Sequence, residues 1–191
     1  DYLRLLFARA GIPHCPICGR QVAKQSAQEI VEEVERMPEG ARLLLLSPLV
    51  RGRKGTHQAV LEEIRKAGFV RTRVDGVVHE LDEDIQMDRY KIHTIEAVVD
   101  RLVVRQQDSE EERQAMRSRL TDSVETALKF GDGYLTVQWL NPPEDHPRPQ
   151  EAASAEAPEG DRVERQGVDL HFSEHLACPE HGSVLPEIEP R

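Results

Sequence analysis

Two pentapeptides of one pattern stand near opposite ends of the chain, Cys15-Pro16-Ile17-Cys18-Gly19 and Cys178-Pro179-Glu180-His181-Gly182. Between them they use all 3 cysteines of the 191 residues. Thiolate and imidazole are good zinc ligands, and a two-residue gap lets one tight turn present both to a single ion. The proline stiffens that turn and the glycine permits the positive φ that follows it. Joined, Cys15, Cys18, Cys178 and His181 make a tetrahedral Zn²⁺ site with no position left for water, so its role is structural. Closing so long a loop costs about 5 kcal/mol on the disulfide scale, whereas a structural zinc supplies about 10–16 kcal/mol. The expectation is an inserted arm clasped at its base. Two alternatives stay open. His181 pairs with ligands beyond Arg191, leaving two half-sites, or Cys15 and Cys18 are a thiol-redox pair, which leaves Cys178 and His181 unexplained.

Cysteines arranged as ligand pairs rather than a disulfide framework point to a reducing, cytoplasmic setting. No apolar run approaches the roughly 20 residues that span a bilayer, and no signal peptide opens the chain. It begins at a helix-like Asp1 and ends at Pro190-Arg191, and so reads as a fragment. The net charge of −10 argues against a general nucleic-acid surface. One stretch runs the other way: Arg51, Arg53, Lys54, Arg65, Lys66, Arg71 and Arg73 face only Glu62 and Glu63. It is either a solvated face or a docking patch for an acidic protein or a phosphate backbone.

Hydrophobic periodicity predicts an α+β fold: a mixed, largely antiparallel sheet with about three packed helices. Leu3, Leu6, Phe7 and Ala10 have helical spacing, stopped by Gly11 and Pro13. Ser26-Ala27-Gln28-Glu29 is a capping box opening a helix with Ile30, Val31, Val34 and Met37 on one face. Leu43 to Leu46 is a short buried strand limited by Pro48. A second helix is expected from Gly55 to Ala67, stopped by Gly68. Asp75-Gly76 between Phe69–Val74 and Val77–Leu81 signals a hairpin. On its first strand Phe69, Arg71 and Arg73 share one face, with Val70, Thr72 and Val74 on the other. Thr94 to Val104 is the longest strand, and Ser109 to Glu112 is a second capping box whose helix stops at Gly131-Asp132-Gly133. Tyr134 to Leu140 and Val168 to Phe172 are further strands, separated by a Pro/Ala-rich loop too poor in large apolar side chains to order itself.

No catalytic constellation assembles. Gly52-Arg53-Lys54-Gly55-Thr56 lacks phosphate-loop spacing. The serines have no nucleophile-elbow context, and the acids after Leu81 lack a calcium-loop pattern. His57, His79, His93 and His171 read as core or surface residues.

Asp1-Tyr-Leu-Arg-Leu-Leu-Phe-Ala-Arg9, His14-Cys-Pro-Ile-Cys-Gly19, Val50-Arg-Gly-Arg-Lys-Gly55, Phe69-Val-Arg-Thr-Arg-Val-Asp-Gly76, Val98-Val-Asp-Arg-Leu102 and Leu185-Pro-Glu-Ile-Glu-Pro-Arg191 together closely resemble the UvrA family. Its members are damage-sensing ATPases of bacterial nucleotide excision repair. The resemblance implies a segment between the phosphate loop and the signature region of the first nucleotide-binding cassette, with no ATP site and no catalysis of its own. It implies an ATPase-domain helix and first knuckle over 1–25, a UvrB-binding domain over 26–140, a flexible loop over 141–167, and a return strand with the second knuckle over 168–191. UvrB is the implied partner, and the transcription-repair coupling factor a competitor. The implied contacts are chiefly Arg71 and Arg101, with Arg73 and Asp75 beside them. Arginine suits this use because its planar fork pairs bidentately with carboxylates. A DNA-binding use of 51–73 is the alternative.

Overall fold

In the computed structural model, the described residues are 2, 3, 6, 10–15, 19, 21, 22, 24–105, 109–143 and 167–175. The helix expected over 2–10, the loop after Pro143 and the second knuckle lie largely or wholly outside them.

Helix α1 (Ala27–Glu35) begins at the expected capping box. The Ser26 hydroxyl oxygen accepts the Glu29 N–H at 3.2 Å, and the Glu29 carboxylate accepts the Ser26 N–H at 2.7 Å. Its buried face carries Ile30, Val31 and Val34. Strand β1 (Arg42–Lys54) follows, then α2 (Gln58–Lys66), β2 (Arg71–Val74), β3 (Val77–Glu80), β4 (Ile92–Val103), α3 (Glu110–Phe130), β5 (Tyr134–Trp139) and β6 (Val168–Ser173). At the start of α3 the Ser109 side chain accepts the Glu112 N–H, the serine half of the second box. The six strands form one sheet in the order β3-β2-β4-β1-β5-β6. Every neighbouring pair is antiparallel, so the sheet is not mixed.

Strand β1 runs well past the proline expected to end it. Its pairing with β5 covers only Leu43 to Leu46, so Pro48 sits beyond the last β5 partner, opposite Glu96 of β4 and between two register shifts. A missing N–H does little harm where one ladder has already ended. The Asp75-Gly76 turn is as expected, with φ of 51° and 91° at its two residues.

Among the described residues, α1, α2 and α3 lie on one face of the sheet. Leu43, Leu45, Leu102, Leu135, Val137 and Phe172 pack there against α1 and α3. Val74, Ile95 and Ala97 pack there with Leu61 and Ile64 of α2. Burying each large apolar side chain contributes about 1.5–3 kcal/mol.

The opposite face mixes polar and apolar side chains and is curled. In a flat sheet β2 and β6, with β4, β1 and β5 between them, would lie roughly 19 Å apart. Yet Arg73 of β2 donates to both carboxylate oxygens of Asp169 of β6, at 2.8 and 2.9 Å. The sheet therefore bends around its helix-free face, which explains why Leu46, Thr136 and Gln138 on that face are buried.

Candidate functional site, an arginine-bearing sheet face

The pairing register of the strands places Arg71, Arg73, Glu96, Arg101, Leu44, Thr136 and Gln138 on the helix-free face. The arginines differ sharply in setting. Arg71 is half exposed and its Nε donates to Glu80 on the paired strand at 2.8 Å. Arg101 is exposed, and among the described residues its guanidinium has no hydrogen bond or ion pair. The two lie on neighbouring strands, on the order of 10 Å apart by strand spacing.

Arg73 is not a surface group. Its side chain is 5% exposed and is shared between Glu96, at 2.5 Å from Nε, and Asp169. Burial opposes its charge, but hydrogen bonds and charge from Asp169 and Glu96 outweigh that and hold the guanidinium above its usual range. Burial pushes the Glu96 carboxyl up, against the pull of Arg73. Arg73 thus ties β2 to β4 and β6 within the sheet. Asp75 likewise has a structural task in the hairpin turn. One oxygen accepts the Thr94 N–H at 2.8 Å and the other lies 2.6 Å from His93 Nδ1.

The basic stretch 51–73 does not form one cationic surface. Arg51 stacks over the Tyr134 ring, 3.5 Å from its centre. The Arg65 Nε donates to the Leu81 carbonyl at 2.6 Å. With Arg73 buried and Arg71 held by Glu80, the remaining exposed cations are Arg53 and Lys54 at the far end of β1 and Lys66 in the last turn of α2.

Sequence reasoning missed Asp100. It accepts hydrogen bonds from Arg119 Nη2 at 2.8 Å, Arg119 Nε at 3.2 Å, Ser123 Oγ at 2.8 Å and the Arg101 N–H at 2.7 Å. Burial works to raise its pKa, but these donors outweigh it and hold the carboxyl below the usual range. The signal was in the apolar spacing: Ile95, Ala97 and Val99 step by two, then Leu102 follows after three.

Of the knuckle residues, Cys15 is described and buried. The Gly19 N–H donates to the Cys15 carbonyl at 2.8 Å, Gly19 has φ of 70°, and His14 bridges Gln21. Cys18, Cys178 and His181 lie outside the described residues, among which no group of three or more metal-ligating side chains occurs. No helix among the described residues is long and apolar enough to cross a membrane.

A family model described as the UvrA interaction domain matches residues 25–141. The chain is 41% identical to UvrABC system protein A of Clostridium perfringens, over 192 residues that take in 100% of this chain and 17% of that protein. It is 44% identical to the protein of the same name from Methanothermobacter thermautotrophicus, over 100% of this chain and 17% of that one. With the Bacillus subtilis protein it shares 40% identity, over 100% of this chain and 16% of that one. The chain thus spans about a sixth of the length of these relatives. A match across more than half of the chain, joined to full-length identity at this level, means that the chain belongs to the UvrA interaction-domain family.

Proposed function

We propose that this chain is a docking module of a nucleotide excision repair protein, without catalysis of its own, and that it recruits UvrB in the cytoplasm. The observation that carries this reading is the placing of Arg71 and Arg101 on one helix-free sheet face, both accessible. A partner bearing carboxylates complements such a face, with fork-to-carboxylate pairing giving specificity. The transcription-repair coupling factor competes for the same surface. The calorimetric test uses this chain against UvrB, with Arg71→Glu and Arg101→Glu. Each reversal is expected to cost on the order of 2–5 kcal/mol of binding, and added salt to weaken the parent interaction. Because Glu80 neighbours residue 71, Arg71→Ala separates lost attraction from new repulsion. Binding untouched by both reversals defeats the reading.

A structural zinc held by Cys15, Cys18, Cys178 and His181 belongs to the same proposal, as the clasp at the module's base. Two observations support it. Cys15 is buried, and its carbonyl accepts the Gly19 N–H at 2.8 Å. In addition, the Gln25 N–H donates to the Ser173 carbonyl at 2.9 Å, so the chain leaving the first knuckle runs beside the strand leading to the second.

A further inference from the structure

Arg101 faces the partner side only because β4 carries an extra residue. Leu45 of β1 pairs with Asp100 and Leu46 with Val98, so Val99 has no partner of its own. This is a β-bulge, and a bulge re-aims the side chains that follow it. Before it, Ile95 and Ala97 face the helices, and Val99 packs against the helix-side core. Uninterrupted alternation would then send Arg101 to the helix side and Asp100 to the open face. The reverse is observed. Asp100 turns to α3, where Arg119 and Ser123 bind its carboxylate, and Arg101 pairs with Leu44 on the helix-free face.

We infer that Asp100, clamped by Arg119 and Ser123 of α3, is a positioning residue that fixes the bulge and so aims Arg101 at the docking partner beside Arg71. This rests on the docking reading and deepens it. The Asp100 carboxylate also accepts the Arg101 N–H, so the clamp grips the backbone of the residue it aims. Arg119 is itself 59% exposed at its side chain, so its removal leaves little unfilled space in the core.

The test is a set of double-mutant cycles on this chain, read as affinity for UvrB by calorimetry. Ser123→Ala and Arg119→Gln are each expected to weaken binding roughly three- to tenfold. The same changes should have no further effect in an Arg101→Ala background, yet keep their full effect in an Arg71→Ala background. A purely structural role would give equal losses in both backgrounds, and that result overturns the inference, as does unchanged affinity in the single variants. Arg119→Lys, which keeps a cation near Asp100, should restore part of the loss. If Arg101→Ala itself leaves affinity unchanged, Arg101 is no contact and this inference falls, whereas the docking reading falls only if binding also survives Arg71→Glu. If Arg101→Ala weakens binding but the clamp variants do not, the inference alone falls.

Discussion

His93, 7% exposed at the start of β4, joins the hairpin turn to the acidic loop before it. Its Nδ1 lies 2.6 Å from the Asp75 carboxylate and its Nε2 2.8 Å from the Asp88 carbonyl. Both neighbours are acceptors, so only the imidazolium satisfies both. Burial opposes that charge, but the Asp75 hydrogen bond, the Asp88 carbonyl and the two acidic charges outweigh it and raise the histidine's pKa. A raised folded pKa gives stability that is complete below the unfolded value of about 6.5 and is lost as pH climbs through the folded value. The urea midpoint should therefore fall as pH rises from about 6 into the alkaline range. His93→Gln should remove that slope, and a wild-type midpoint flat across the window contradicts the assignment. Sequence placed His93 among core or surface histidines, which holds, but its partners come from separate turns that no local pattern links. Arg73 makes the same point. Alternation showed that it shares a face with Arg71, yet its burial depends on a curl that brings Asp169 across from β6.

At the scale of elements, the sequence was most legible where chemistry is local. The Ser26 capping box, the Asp75-Gly76 turn and the stop of α3 at Gly131 all occur where the residues pointed. It was less legible for β1, because a proline's cost depends on which side of the strand has already lost its neighbour. Gly131 allows a prediction here. Its φ of −89° suits any residue, so flexibility is not the reason for glycine. Space is: a Cβ there would stand 2.3 Å from the Tyr134 carbonyl oxygen and 2.8 Å from Ser47 Oγ. The Ser47 hydroxyl donates to the Ala127 carbonyl at 2.8 Å, tying β1 to the end of α3. Gly131→Ala should force this junction apart and cost about 1–3 kcal/mol, the range for overpacking. Urea unfolding checks it, and an unchanged midpoint means that the α3–β5 turn yields freely.

For the whole molecule, the question is whether the two ends are one structure. The sheet brings Gln25 and Ser173 together, since β6 pairs with β5 and the Ser173 carbonyl accepts the Gln25 N–H. From Gln25 back to Cys18, and from Ser173 on to Cys178, only short spacers intervene. A shared ion between the knuckles would turn this adjacency into a closed base, so that tension on either end is borne by metal–ligand bonds rather than by a single strand ladder. The two arrangements differ in stoichiometry and in response to mutation. With one joint site, the purified chain carries one zinc per molecule by elemental analysis, and Cys15→Ser or Cys178→Ser each abolishes stoichiometric zinc. Two independent half-sites predict that Cys178→Ser leaves zinc at the first knuckle. A thiol-redox pair predicts no stoichiometric metal at all. Removing the ion with a strong chelator should also lower the thermal midpoint, because binding energy at a structural site is folding energy. Cys178→Ser should lower it similarly and make it insensitive to chelator. Equal zinc content in wild type and Cys178→Ser rules out the joint clasp while leaving the arginine face to be judged on UvrB binding alone.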